Sequence, residues 1–237
     1  MIFRQFFDAA SSTYTYLLGA KSGGEALLID PVKENVPQYL QAIEQLGLKL
    51  VRAIDTHTHA DHITGLGELR DRTGCVTVMG ERSQAECVSQ RVRDGEFIDV
   101  GGLRLQALYT PGHTDESFSF VLDPARPRAV FTGDVLLIRG SGRTDFQSGN
   151  AHQSWRSITE TLFRLPDETL VYPGHDYRGW TASSIGEEKR FNPRIAGRSE
   201  SEYVVIMNGL HLPDPRLMDI AVPANLACGK AQAAGIG

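Results

Sequence analysis

Residues 56 to 62 read THTHADH, so three of the seven histidines of the chain and one aspartate fall within seven positions. Imidazole side chains favour neither a packed core nor a helix interior, so a structural role does not explain this crowding. Ring nitrogens and carboxylate oxygens are ligands for zinc, iron(II) and manganese in proteins. The segment therefore predicts a metal site, to which it contributes His57, His59, Asp61 and His62.

Three more side chains of the same kind occupy equivalent positions in the predicted elements. His113 follows LYTPG, Asp134 ends AVFTGD and His175 follows LVYPG, much as the first motif follows LVRAID. Each lies just past the carboxyl end of a short apolar strand, where layered α/β proteins build their sites. One such histidine alone is most often a surface residue. Four strand ends that carry histidine or aspartate predict one shared metal centre.

The spacing leaves the number of metal ions open. If every candidate binds, the ligands suffice for two ions bridged by Asp134, an arrangement that activates water for hydrolysis. If only two histidines and Asp134 bind, they occupy one face of an iron(II) ion and leave its other coordination positions open for a substrate and O2. A thiolate site is not expected, because Cys75, Cys87 and Cys228 form no CxxC pair.

The elements that must position these residues alternate between strands and helices. The segments TYTYLL, ALLIDP, LVRAID and CVTVMG predict strands, and VPQYLQAIEQLG and ITGLGELRDRTG predict the helices among them. The middle of the chain predicts a hairpin around Gly101 and Gly102 and two further strands, SFSFVLD and AVFTGDVLL. An amphipathic helix, HQSWRSITETLFRL, a last strand, TLVYPGH, and helical segments near 181–190 and 199–209 complete an α/β pattern.

Composition limits the class of protein. A chain of 237 residues with 41% hydrophobic and 22% charged residues fits one globular α/β domain over 1–237, with a short C-terminal elaboration after about residue 190. No apolar run approaches the roughly 18 residues that cross a bilayer, and the start does not resemble a signal peptide, so we expect a cytoplasmic protein without membrane contact. The net charge of -5 disfavours nucleic-acid binding.

The motifs HxHxDH, TPGHT, FTGD and YPGHDY, in this order, resemble those of the metallo-β-lactamase superfamily over roughly residues 10 to 180. The resemblance implies an α/β fold of four layers, an αββα sandwich, with the site at one edge of the sandwich. It does not specify the reaction, because hydrolases, nucleases and oxidoreductases share this fold.

Longer segments, above all GRTDFQ and LPDPRLMDIAVPAN, resemble the persulfide dioxygenases nearly from end to end. This resemblance implies sulfide oxidation: an enzyme that oxidises glutathione persulfide with O2 and water to sulfite and glutathione, at one Fe(II) per chain, and it allows a homodimer. The implied iron ligands are His57, His113 and Asp134, surrounded by His59, Asp61, His62 and His175 as outer groups or ligands of a second metal. The implied substrate-binding residues are Arg143, Tyr177, Asp145 and Arg216.

Two other classes of function are consistent with part of this pattern. The binuclear zinc hydroxyacylglutathione hydrolases of the glyoxalase II type share the first motifs, but they carry a helical substrate domain that we do not expect after residue 190. A noncatalytic binding module is disfavoured by the intact ligand set. One departure is Ser141, where some relatives have cysteine or glycine, and it leaves the role of a thiol there in doubt.

Overall fold

The computed structural model describes residues 1–86, 88–213 and 217–229. Strands and helices alternate as predicted, while β1, β6, β12 and α6 are elements that the sequence analysis did not predict. In chain order the elements are β1 Ile2–Asp8, β2 Thr13–Gly19, β3 Glu25–Ile29, α1 Val36–Gln45, β4 Lys49–Ile54, α2 Leu66–Thr73, β5 Val76–Gly80, β6 Gln90–Val92, β7 Phe97–Val100, β8 Leu103–Tyr109, β9 Phe118–Leu122, β10 Ala129–Gly133, α3 Ala151–Arg156, β11 Leu170–Pro173, β12 Ser183–Ser184, α4 Ile185–Phe191, α5 Glu200–Asn208 and α6 Met218–Leu226.

The chain forms two compact units. The first contains the described residues of Met1–Met79, Ser83–Arg91 and Pro213–Gly237, and the second contains Gly80–Arg82 and Val92–Leu212. Helix α6 therefore returns to the unit built by the N-terminal strands. The single domain expected over the whole chain stays a prediction.

The first sheet brings several strand ends to one edge. Its strand order is β1-β2-β3-β4-β5-β6, with β3, β4 and β5 parallel to one another and β2 antiparallel to both β1 and β3. The carboxyl ends of β3 and β4 thus lie at the edge where β2 begins. Asp30 follows β3, the histidine motif follows β4, and Thr13 opens β2, so all three meet there.

Helices α1 and α2 hold this sheet in place through their apolar faces. Val36, Tyr39 and Ile43 of α1 lie three or four residues apart and are buried, because this spacing places them on one face of a helix. They pack in a cluster with Leu17 of β2 and Leu28 of β3. Each such aliphatic side chain contributes about 1.5–3 kcal/mol when fully buried. The packing fixes the strands from which the histidine segment projects.

The second sheet has the order β12-β11-β10-β9-β8-β7. Strand β9 is antiparallel to both β8 and β10, and β10 is parallel to β11. Strands β8, β10 and β11 therefore run in the same direction. His113, Asp134 and His175, which follow these three strands, come to one edge of the sheet for that reason.

Helices α3 and α5 cover this second sheet. The predicted helix HQSWRSITETLFRL is α3 continued by a wider helical turn, Ser157–Thr161, and a tight one, Leu162–Arg164. Ile158 and Leu162 are buried in a cluster with Tyr203 and Met207 of α5. Among the described residues, no helix is both long enough and apolar enough to cross a membrane.

Candidate metal centre

His57 is oriented by a buried carboxylate through Thr56. The backbone N–H of Thr56 donates to Asp30 Oδ1 at 2.7 Å, and its hydroxyl donates to Asp30 Oδ2 at 3.1 Å. Because the only hydroxyl proton is used there, Thr56 Oγ1 accepts from His57 Nδ1 at 2.9 Å. Nδ1 of His57 therefore carries the ring proton, and Nε2 is the nitrogen with a lone pair for a metal.

His59 forms a buried ion pair with the same carboxylate. Its Nε2 lies 3.2 Å from Asp30 Oδ1, and both side chains are fully buried. Burial by itself lowers the pKa of the His59 imidazole, but the neighbouring carboxylates, above all that of Asp30, more than offset burial and raise it to about 10. Asp30 thus holds two of the three motif histidines, one directly and one through Thr56.

The four residues of the HxHxDH motif lie together in the first unit. The ring centroids of His57 and His59, and those of His59 and His62, are each 4.3 Å apart. His62 Nδ1 lies 3.1 Å from Asp61 Oδ2, and the Thr13 hydroxyl contacts both groups. One donor atom each from His59, Asp61 and His62 falls within 4.8 Å of the others. This cluster has the composition and the spacing of a metal-binding group.

His113, Asp134 and His175 lie together in the second unit. Asp134 Oδ2 is 3.6 Å from His113 Nε2 and 3.5 Å from His175 Nε2. These distances exceed those of ordinary hydrogen bonds, whereas atoms that share one ion at about 2.0–2.2 Å lie roughly 3–4 Å apart. Asp134 Oδ1 is buried and has no hydrogen-bond partner in the part of the chain that the structure describes. A buried carboxylate in this state fits a metal ion.

The loop of residues 140–145, called the 140–145 loop below, fixes both His113 and Asp134. His113 Nδ1 lies 2.8 Å from the carbonyl oxygen of Arg143. Because a carbonyl only accepts, Nδ1 carries the proton and Nε2 faces Asp134. The N–H of Gly142 donates to the backbone carbonyl of Asp134 at 2.7 Å. The 140–145 loop therefore fixes both the ring orientation of His113 and the backbone position of Asp134.

Side chains from the C-terminal half of the second unit anchor the 140–145 loop. Tyr203 donates to Ser141 Oγ at 3.0 Å, Arg194 donates to the carbonyl of Ser141, and Asn192 donates to the carbonyl of Gly140 at 2.9 Å. Burial raises the pKa of Tyr203, so its hydroxyl keeps the proton that it donates. Ser141 is thus a buried acceptor in a hydrogen-bond network.

Three of the four substrate-binding candidates follow strands β10 and β11, whose carboxyl ends meet at this edge. Arg143 and Asp145 form a two-pronged ion pair of 2.7 and 2.8 Å, which holds the pKa of the Asp145 carboxyl below its usual range. The Arg143 guanidinium also lies 3.9 Å from the ring centroid of Phe146. Tyr177 is 73% exposed, and its ring is stacked parallel to that of His175. Arg216, the fourth candidate, lies outside the described residues.

Asp30, Thr56 and Asn225 are site residues that the sequence analysis missed. Asp30 closes the segment ALLID, so the strand-end rule that found Asp134 could also have found it. Asn225 belongs to no metal-binding pattern, although its side chain bonds the carbonyls of His59 and His62. No signal in the sequence places a helix some 160 residues away against the histidine motif.

Comparisons with known proteins place these motifs in a family. The model of the metallo-β-lactamase superfamily matches residues 9–87 and 88–175. The human protein named "Persulfide dioxygenase ETHE1, mitochondrial" is 47% identical over 97% of this chain and 89% of its own length. The crystal structure of ETHE1 from Myxococcus xanthus is 56% identical, with a TM-score of 0.93 over 97% of this chain and 100% of that one. A metallo-β-lactamase structure from Staphylococcus aureus is 27% identical, with a TM-score of 0.90 over 98% of this chain and 74% of that one.

Replacement of Gly174 by alanine should weaken metal binding. A Cβ at this position would lie 2.6 Å from Asp134 Oδ1, so the carboxylate must move. We expect the affinity for Fe(II) to fall by about 10–100-fold, the usual effect of disturbing a group that supports a ligand. Chelator competition under anaerobic conditions measures it. Gly140→Ala is the matched control: among the described residues its Cβ would meet Leu137 alone, at 3.9 Å, and the backbone carbonyl that Asn192 bonds is kept. Equal affinities for the two variants would contradict the expectation.

Proposed function

Since this chain belongs to the persulfide dioxygenases of the metallo-β-lactamase superfamily, we propose that it oxidises glutathione persulfide with O2 and water to sulfite and glutathione at one non-haem Fe(II). The predicted metallo-β-lactamase fold and the predicted enzyme class are confirmed by the family match and the relatives. The hydroxyacylglutathione hydrolase alternative has no comparable relative among those described above.

The proposed iron ligands are His57, His113 and Asp134. The observation that carries this proposal is the buried Oδ1 of Asp134, which lacks a hydrogen-bond partner in the described part of the chain. Support also comes from the tautomers of the two histidines, because each hydrogen-bonds through a protonated Nδ1 and therefore carries its lone pair on Nε2, the atom proposed to bind the metal. Two histidines and one carboxylate leave open positions on iron for small molecules.

When bound, Fe(II) would supply the electron transfer that lets O2 react with a closed-shell persulfide, which zinc lacks because it has no accessible redox change. The protein residues orient the site. Asp30 holds His57 through Thr56, and the carbonyl of Arg143 holds His113. Rigid ligands of this kind preserve the open positions that a persulfide sulfur and O2 require.

The remaining motif residues serve as outer groups in this proposal. His59 is occupied by its ion pair with Asp30, and His62 contacts Asp61 and Thr13. His175 lies as close to Asp134 Oδ2 as His113 does. In a binuclear hydrolase the same side chains would bind a second ion, so the role of His175 distinguishes the two mechanisms.

Glutathione carries two carboxylates, and Arg143 is the cation proposed to bind one of them. Its planar guanidinium matches a carboxylate through two parallel hydrogen bonds, the geometry it already has with Asp145. Asp145 bonds the guanidinium that lies over Phe146, and Tyr177, whose ring stacks on that of His175, offers an exposed ring and hydroxyl. Substrate contact through Arg216, a homodimeric state and a cytoplasmic location are further proposals.

Alanine variants of the ligands should separate the mononuclear site from a binuclear one. We expect His57→Ala, His113→Ala and Asp134→Ala to lose nearly all iron, because each removes one of only three protein ligands. His175→Ala should keep about one iron per chain. Metal analysis after anaerobic loading with Fe(II) and desalting measures the content. A loss in His175→Ala as complete as that in Asp134→Ala would contradict the proposed ligand set.

Removal of the Arg143 side chain should impair substrate binding more than iron binding. Arg143→Ala deletes a charged hydrogen-bonding group worth about 1.5–3 kcal/mol, so KM for glutathione persulfide should rise roughly 10–100-fold. The backbone carbonyl that holds His113 remains, and the iron content should stay near that of the wild type. Arg104→Ala is the matched control, since Arg104 forms the same two-pronged ion pair with Asp99 on an exposed surface. An unchanged KM would remove Arg143 from the substrate site.

The products of the reaction test the proposed function. Iron-loaded protein incubated with glutathione persulfide and O2 should form sulfite and glutathione, and it should not hydrolyse S-lactoylglutathione. Zinc-loaded protein should do neither. Hydrolysis of the thioester by the zinc form, without sulfite from the iron form, would replace the dioxygenase with the hydrolase.

A further inference from the structure

In the part of the chain that the structure describes, the side chain of Asn225 in helix α6 bonds only the segment that carries the histidine motif. Its Nδ2 donates to the carbonyl of His59 at 2.8 Å and to the carbonyl of His62 at 2.9 Å. Its Oδ1 accepts from the N–H of Thr64 at 2.8 Å. The side chain is buried, with 4% of its surface exposed. Both amide protons and the amide oxygen therefore have partners.

Only an amide fits this position. Two carbonyls require two donors, and the Thr64 N–H requires an acceptor, so the orientation of the amide is fixed by its partners. Residues 55 to 63 form neither helix nor strand. Buried backbone groups in such a segment must find partners elsewhere, since each unpaired group costs about 1–3 kcal/mol. Asn225 supplies those partners where secondary structure does not.

Neighbouring contacts join the end of α6 to the same segment. The backbone of Gly229 approaches Thr64 so closely that a Cβ at Gly229 would lie 2.3 Å from the Thr64 carbonyl oxygen. Lys33 donates to the carbonyl of Gly229, and its own backbone N–H donates to the carbonyl of Ile63 at 2.9 Å. Several residues around Asn225 therefore contribute to the contact between the end of α6 and the histidine segment.

Asn225 and Asp30 hold opposite ends of the histidine segment. Asp30 bonds Thr56 and His59 from the N-terminal side, whereas Asn225 bonds His59, His62 and Thr64 from the C-terminal side. A segment fixed at both ends has few alternative conformations. The proposed metal ligand within it, His57, therefore needs little reordering when a metal binds.

We propose that Asn225 is a positioning residue of the metal centre, which makes helix α6 a functional part of the site. The inference rests on the proposed iron site in which His57 is a ligand. Asn225 acts through the backbone of the motif and touches neither the metal nor the substrate. Loss of its three hydrogen bonds loosens the segment and lowers the affinity for iron.

The test compares Asn225→Ala and Asn225→Asp with Ala221→Gly. The aspartate variant keeps the size and shape of the side chain but turns an oxygen toward two carbonyls, so it removes the donors selectively. Ala221 is fully buried in the same helix, and its replacement weakens α6 while the three hydrogen bonds of Asn225 remain. Fe(II) affinity is measured by anaerobic chelator competition, hydrogen exchange of residues 56–64 by mass spectrometry, and stability by Tm.

Both Asn225 variants should bind Fe(II) about 10–100-fold more weakly than the wild type and exchange faster at residues 56–64. Ala221→Gly should lower Tm comparably and keep the wild-type affinity. The proposal is overturned if the Asn225 variants keep the wild-type affinity, or if all three variants lose affinity in proportion to Tm. Should the Asn225 variants not fold, exchange in the wild-type protein decides: the Thr64 amide must be protected, and Fe(II) must protect it further.

The outcomes separate this inference from the proposed function. Iron binding without O2 uptake by the wild type would reject the dioxygenase activity and leave the comparison of affinities valid. A wild type that binds no iron would reject the proposed site itself, and with it the role of Asn225 as a positioning residue.

Discussion

The buried carboxylate of Asp30 is the interaction on which the histidine segment depends. It accepts hydrogen bonds from the Thr56 backbone, the Thr56 hydroxyl and the His59 ring, and it thereby orients two histidines. A buried charge requires pairing and hydrogen bonds, and these three partners supply them to Asp30. The parallel pairing of β3 with β4 brings these groups together, because it places the residues after both strands at one edge. Strand pairing thus positions Asp30, and Asp30 in turn orients the histidines of the site.

In the second unit, the candidate ligands are likewise positioned by strand ends and fixed by hydrogen bonds to neighbouring groups. Three strands that run in one direction place His113, Asp134 and His175 at one sheet edge. The 140–145 loop then determines that Nδ1 of His113 carries the proton, and it holds the backbone of Asp134. That loop is anchored by Tyr203, a residue well outside the metal-binding motifs. The Asp134 oxygen that lacks a partner in the described chain costs stability in a protein without metal. Binding sites commonly retain such costs, because the ligand repays them.

Much of this arrangement could be predicted from the sequence, since the strand-end rule depends only on local pattern. The rule identified the residues after β4, β8, β10 and β11, and the structure gathers those of each unit at one sheet edge. Asp30 obeys the same rule but was missed, because a lone aspartate after a strand resembles a turn residue. Asn225 could not be found in this way. Its role arises from tertiary contact between residues more than 160 positions apart, which neither periodicity nor composition encodes.

Ser141 and Arg143 show a second limit of prediction from the sequence. The motif GRTDFQ indicates a cation near the site, yet the pairing of Arg143 with Asp145 and Phe146 depends on side-chain conformations that only the folded loop defines. Ser141 departs from some relatives in residue type, and the structure gives it a hydrogen-bonding role with Tyr203 and Arg194. Long-range hydrogen bonds of this kind decide how a motif is held, whereas the motif itself is visible in the sequence.

If one iron ion per chain carries out oxygen chemistry on a persulfide, oxygen uptake must follow the iron content of the protein. The experiment measures oxygen uptake with glutathione persulfide, on protein loaded anaerobically with increasing amounts of Fe(II). We expect a rate that rises in proportion to bound iron and reaches its maximum at one iron per chain. A rate that continues to rise toward two irons per chain, or oxygen uptake by the zinc-loaded protein, would contradict it.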